Sequence, residues 1–242
     1  MDIGIIGFGQ MGKFLAQHLK EFHEIFASDK TDKSKEAEEI GIRFTSIDNA
    51  ASKDIVILAV PISNFKSTLE IIKNHIKKDS IVMDICSVKT IPCKMMVETL
   101  HKDVDIIGTH PLFGPQSGKN GIKGFKIVIC PLRLKNDSLN RIIDIFGNLG
   151  LEIIKTTPEE HDKAMATSQA LMHFIAKGMI NIGIKDNQIK ISSLDRAIEL
   201  IDIFKEDSDQ LFNDVQNFNP FTKDIRNKFL KELENINKEL DK

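Results

Sequence analysis

Asp2-Ile3-Gly4-Ile5-Ile6-Gly7-Phe8-Gly9-Gln10-Met11-Gly12 opens the chain. An apolar run of strand length leads straight into G-x-G-x-x-G, and Phe14, Leu15, His18 and Leu19 then recur at helical spacing. Strand, tight turn and helix N-terminus, in that order, form the context in which such glycines signal dinucleotide binding. Gly7 and Gly9 let the backbone turn sharply and approach a pyrophosphate. Gly12 lets the helix close on the strand, and the helix dipole at Gln10 and Met11 favours the anion. All five residues are expected at the cofactor.

Outward from this unit, Glu24–Ser28 reads as a second strand that ends at Asp29, about 20 residues past the glycines. An acid there accepts hydrogen bonds from the adenosine ribose hydroxyls and repels a 2′-phosphate, which points to NAD. Lys30 and Lys33 would pair with a 2′-phosphate were Asp29 turned away, so NADP stays open. Ser28, Asp29 and Lys30 thus join the expected cofactor site. A helix is expected over 33–40 with Gly41 as its cap. The apolar run 54–60 has the composition of a parallel strand buried on both faces, and it delivers Val60 and Pro61 to the cofactor edge. A helix over 64–76 and a strand over 80–84 follow. The strand over 80–84 opens onto Ile85-Cys86-Ser87-Val88-Lys89, where Ser87 would cap a helix, face the ligand edge, or do both.

A further apolar run, Asp105-Ile106-Ile107, is read as stopping at Gly108, ahead of Thr109-His110-Pro111-Leu112-Phe113-Gly114-Pro115-Gln116-Ser117-Gly118. Pro111 biases His110 toward an extended backbone, and the glycines and Pro115 make a loop. A histidine at a strand end with a Gly/Pro loop over it is suited to general-base work near neutral pH. A strand over 125–130, a helix over 138–149 and a strand over 151–155 complete an alternation that predicts an α/β, Rossmann-type doubly wound parallel sheet over 1–155. From 156 to 242 only helical periodicity remains, over 158–183, 191–217 and 221–240, and Pro158 stands at a first helical position. Roughly 85 residues in three helices form a thin core, so this small all-helical domain is expected to form a homodimer through its helices.

The 242 residues are 41% hydrophobic and 28% charged, with net charge −2, which gives no electrostatic case for nucleic acid or an anionic membrane. No apolar run approaches a membrane span, and residues 1–6 already read as a strand, so no signal peptide is expected. Cys86, Cys93 and Cys130 lack a C-x-x-C pair or ligand-like His spacing, so reduced thiols, a cytoplasmic protein and no bound metal are expected.

With these segments in view, the chain resembles the prephenate/arogenate dehydrogenases of tyrosine synthesis, the plant-type arogenate branch above all. The resemblance rests on Gly7–Gly12, Asp84–Lys89, Thr109–Gly118, Glu159–Lys163, Ser168-Gln169 and Asp207-Ser208 before Leu211-Phe212. It implies oxidative decarboxylation of L-arogenate to L-tyrosine with hydride transfer to a nicotinamide. His110 would act on the substrate's ring hydroxyl, Ser87 would lie beside that hydroxyl and the nicotinamide and so also bind the cofactor, and Ser117, Gln169, His173 and Asp207 would line the substrate site. Asp207 would favour the ammonium of arogenate over the keto group of prephenate. The arginine that related bacterial enzymes place on the helical domain is missing from 202–207, leaving Lys205 and Arg196 as the nearest cations in sequence. The alternatives are a prephenate dehydrogenase yielding 4-hydroxyphenylpyruvate, a β-hydroxyacid-type or imine-reducing enzyme of similar fold, and a dinucleotide sensor without turnover.

Overall fold

A computed structural model of the chain describes residues 1–135, 137–205 and 207–241. They cluster as two compact units, Met1–Glu159 and Glu160–Lys242. In the first unit the elements run β1 (Asp2–Ile6), α1 (Gln10–Leu19), β2 (Glu24–Ser28), α2 (Ser34–Glu39), β3 (Arg43–Phe44), α3 (Ile47–Ala51), β4 (Ile55–Leu58), α4 (Ile62–Ile72), β5 (Ile81–Asp84), α5 (Thr90–Thr99), β6 (Asp105–Pro111), β7 (Lys126–Arg133), α6 (Ser138–Asn148) and β8 (Glu152–Lys155). The strands form one sheet in the order β3-β2-β1-β4-β5-β6-β7-β8. Every residue of β4, β5 and β6 is buried, as the unbroken apolar runs of β4 and β5 require of strands covered on both faces. The short β3 and α3 carry too little periodicity to be seen in sequence.

The sheet is not wholly parallel. β6 and β7 are antiparallel, and β8 then pairs parallel with β7. A parallel return needs a crossover, usually a helix, whereas residues 112–125 are a Gly/Pro loop that turns the chain back. That loop packs on α1: the Phe113 ring lies 6.3 Å from Phe14 and 5.3 Å from Phe125. An added Cβ on Gly118 would come within 2.5 Å of the Phe14 ring.

The expected stop at Gly108 is also overturned, since β6 runs through it to Pro111. Gly108 is there for close packing. Its added Cβ would lie 2.5 Å from Cys93 Sγ on α5 and 3.5 Å from Lys89 Cδ.

The chain enters the second unit within α7 (Pro158–Met165), and the unit continues with a π-helical turn (Ala166–Ala170), α8 (Leu171–Asn181), α9 (Ser192–Lys205), α10 (Asp209–Phe218) and α11 (Thr222–Leu240). The single helix expected over 191–217 is two, because Ser208 is a new N-cap whose hydroxyl accepts from the Leu211 N–H at 3.1 Å. Its buried apolar side chains are few and mostly small: Ala166, Ala170, Ala176, Ile201 and Val215. Buried polar bonds supplement them, from Gln216 Nε2 to the Ala170 carbonyl at 2.7 Å and from Asn219 Nδ2 to the Asp162 carbonyl at 2.8 Å. No helix among the described residues is long and apolar enough to cross a membrane.

Substituting Gly108→Ala is expected to overpack the α5–β6 contact. The cost should be about 1–3 kcal/mol, seen as a lower urea midpoint at unchanged slope.

Candidate functional site

β1, β4, β5 and β6 run in one direction, so their carboxyl ends share one edge of the sheet. Gly7 follows β1, Val60 lies just past β4, Ser87 follows β5, and His110 is the penultimate residue of β6. In such sheets ligands sit at this edge.

The three glycines have three distinct physical reasons. Gly7 has φ +99°, and its added Cβ would lie 2.4 Å from the Ala59 carbonyl oxygen. An added Cβ on Gly12 would lie 2.1 Å from the Gly7 carbonyl oxygen. At Gly9 an added Cβ would meet nothing within 4 Å, so the space above the turn is open. The first bond of α1 runs from the Lys13 N–H to the Gly9 carbonyl, which leaves the N–H groups of Gln10, Met11 and Gly12 beyond the helical ladder. Open space beside N–H donors at a helix N-terminus fits a pyrophosphate.

Asp29 is fixed rather than free to turn away. Its Oδ2 accepts from the Phe8 N–H at 2.7 Å, and its Oδ1 from the Thr31 N–H and hydroxyl at 3.1 and 3.0 Å. Burial opposes its ionisation, but the bonds from Thr31 and Phe8 and the nearby Lys33 outweigh it and hold the carboxyl below its ordinary pKa. Lys33 Nζ donates to the Phe8 carbonyl at 2.9 Å and so braces the glycine turn, while Lys30 is exposed. Ser28 is buried, and its carbonyl accepts from the Gly7 N–H at 2.8 Å. Pro61 is the N-cap residue of α4.

His110 is 5% exposed and pairs with Val128 of β7. Strand alternation puts its side chain on the face of Gly108, the face that α5 covers. Ser87 is half-buried in the turn after β5. It does not cap a helix: α5 begins at Thr90 with Lys89 as its N-cap residue, because the chain first carries the Lys89 side chain inward to Asp84. Both partners of this ion pair are fully buried. Burial works against the Lys89 charge, but the Asp84 carboxylate prevails and raises its pKa. The Cys86 thiol beside them is pushed well up by burial and by Asp84, so it stays protonated. Asp84–Lys89 was among the segments that carry the resemblance, but neither end was given a role; an acid ending a buried apolar strand and a lysine five residues on were the signal for their pairing. Ser117 is exposed, and its hydroxyl is engaged in its own turn, accepting from the Gly114 N–H at 2.9 Å.

In the second unit, Gln169 lies in the π-helical turn, a feature frequent at functional sites, and its Oε1 is buried with no partner among the described residues. His173 is buried, with Nε2 2.8 Å from Asp207 Oδ2, Nδ1 without a partner among the described residues, and the Phe204 ring edge-on at 4.0 Å. Asp207 is therefore no purely solvated turn residue; its side chain is 33% exposed. His173, Lys177, Phe204, Asp207 and Phe212 line a cleft of about 20 Å³, room for a single water-sized group. Lys205 pairs with Asp202 on the surface, and Arg196 is exposed. The cation at the cleft is Lys177, one helical turn past His173 and 3.0 Å from Asp209 Oδ1. Its i, i+4 spacing from His173 was the available sequence signal.

Residues 12–155 match the family model described as prephenate dehydrogenase, nucleotide-binding domain. Among curated proteins, the chain is 29% identical over 230 residues to arogenate dehydrogenase 1, chloroplastic, of Arabidopsis thaliana, covering 91% of this chain and 36% of that protein. It is 33% identical over 250 residues to a probable arogenate/prephenate dehydrogenase of Methanocaldococcus jannaschii, covering 98% of this chain and 56% of that protein. The chain thus spans about a third to just over half the length of these two relatives. Its fold is similar to that of a prephenate dehydrogenase from A. aeolicus solved with hydroxyphenyl propionate and NAD+, with a TM-score of 0.80 at 20% identity over 98% of this chain and 90% of the other. With the glycine turn and the matched residues together in one sheet, the chain belongs to the prephenate dehydrogenase family.

Proposed function

We propose that the chain oxidatively decarboxylates L-arogenate to L-tyrosine with NAD as hydride acceptor. The observation that carries this reading is His110, buried at the end of β6 on the strand edge that also holds the open glycine turn. A relative named as an arogenate dehydrogenase and another named as a probable arogenate/prephenate dehydrogenase support the substrate class. When bound, the nicotinamide supplies the hydride acceptor. His110 accepts the proton of the ring hydroxyl as hydride leaves the same carbon, and Ser87 lies beside that hydroxyl. Loss of the ring carboxylate as carbon dioxide then follows because aromatisation is strongly downhill. Fixed geometry at one base suffices for this step.

Gly7, Gly9, Gln10, Met11, Gly12, Ser28, Asp29, Lys30, Val60 and Pro61 hold the cofactor in this reading. The pinned Asp29 carboxylate favours ribose hydroxyls over a 2′-phosphate. Gln169, His173 and Asp207 recognise the substrate side chain, with Ser117 from the histidine loop. His173 orients the Asp207 carboxylate for an ammonium, and a keto group in its place would leave that charge without a counter-ion. Residues 1–155 act as the dinucleotide-binding part and 156–242 as the substrate and dimerisation part.

The functional protein is a cytoplasmic homodimer built through the C-terminal helices. Leu230, Leu233, Ile236 and Leu240 make an exposed apolar stripe on α11, and Ile182, Ile189, Ile191 and Ile203 add to the exposed apolar surface of this unit. Three buried thiols suit a reducing compartment, although the plant relative is named as chloroplastic.

His110→Asn should lower kcat about 10²–10⁴-fold while cofactor affinity holds, and undiminished turnover would reject the role. A two-by-two kinetic matrix should favour arogenate over prephenate and NAD over NADP, and Asp207→Asn should abolish the first preference alone. Mass measurement at micromolar concentration should give twice the chain mass; a monomer would remove the dimer.

A further inference from the structure

We propose that Asp84 and Lys89 are positioning residues that act through Ser87 and His110. The inference rests on the general-base role of His110 proposed above, and it starts from an accounting of hydrogen bonds. The β5–β6 ladder ends at Asp84↔Gly108, yet β6 continues to Pro111. On the side of β6 that faces β5, the polar groups of Thr109 lie past the last rung, and buried backbone groups must find partners. Side chains take over where the strand stops. Asp84 Oδ1 accepts from the Thr109 N–H at 3.3 Å, and Lys89 Nζ donates to the Thr109 carbonyl at 2.6 Å. The Thr109 hydroxyl donates to the Asp84 carbonyl.

The same carboxylate reaches the other half of the site. Asp84 Oδ2 accepts from the Cys86 N–H at 3.0 Å and from Lys89 Nζ. The residue before Ser87 and the residue before His110 are therefore tied to one buried carboxylate. On its far side His110 is paired with Val128 of β7, so its strand is held from both flanks. A fully buried ion pair is a costly way to gain stability alone, since a well-packed apolar pair does as well or better. Here it supplies what an apolar pair lacks: charged partners for backbone groups at a fixed distance from two reacting side chains. Both residues are fully buried, and the bonds that link them to the site run to backbone groups of Cys86 and Thr109, so the effect passes through the backbone.

The test is steady-state kinetics with arogenate on the full chain. Lys89→Met and Thr109→Val are measured beside an Asp84→Asn/Lys89→Met pair, which strands no buried charge. The expected result is a kcat loss of about 10²-fold for Lys89→Met, the size attached to a small misplacement of a catalytic group, with KM and cofactor Kd within about threefold. The charge-free pair should lose a similar factor, and Thr109→Val less. In a His110→Asn background the same changes should cost almost nothing further, because residues acting as one unit are not additive. A purely structural role would lower the denaturation midpoint equally in both backgrounds and would leave kcat losses additive. The proposal is overturned if folded Lys89→Met or the charge-free pair keeps wild-type kcat, or if the losses add. Should the wild-type chain oxidise neither arogenate nor prephenate, the reading of function fails. An active wild type with an unimpaired Lys89→Met rejects the positioning role alone.

Discussion

A parallel strand that outruns its neighbour leaves backbone donors and acceptors with nothing to bond, and the interior cannot leave them so. β6 does this past Asp84, and the Asp84–Lys89 pair is the repair. Much of the first unit is consistent with that one constraint. Gly108 is bare because Lys89 and Cys93 fill the volume its side chain would need. The helix after β5 is delayed to Thr90 because Lys89 must first turn inward. Breaking such a pair by removing one partner costs about 3–5 kcal/mol in general, which makes it an exacting feature to retain.

The glycine turn and the histidine loop are also mechanically joined. α1 is held to the end of β1 by Gly12 against the Gly7 carbonyl, and the loop after His110 rests on α1 through Phe113 and Gly118. Burying a Phe contributes on the order of 1.5–3 kcal/mol, so the Phe14–Phe113–Phe125 cluster gives the loop a firm seat. Asp29 adds a second brace by accepting from Phe8 within the turn itself. Groups expected to meet a cofactor are thus the same groups that stiffen the turn, which keeps the site formed in advance of binding.

The second unit follows another logic. With few large buried apolar side chains, it relies on polar pairs such as Gln216 with Ala170 and His173 with Asp207, and it leaves a long apolar stripe exposed on α11. A thin core with exposed apolar length is the observation that supports the proposed dimer.

Local pattern alone determined a good deal. The strand–glycine–helix start, the unbroken apolar runs of β4 and β5, Pro158 at a helix start and the candidate His110 are all one-dimensional signals, because periodicity and turn chemistry act over a few residues. Chain direction after His110 was decided only in three dimensions, since the Gly/Pro loop permits a return that its composition does not name. The break at Ser208 was likewise a matter of a cap hydroxyl finding Leu211. Lys89, quoted only as the end of a matching segment, and Lys177 were given no role because a lysine in sequence looks solvated. Only tertiary packing decides whether its ammonium meets water or, as at Asp84, a fully buried carboxylate.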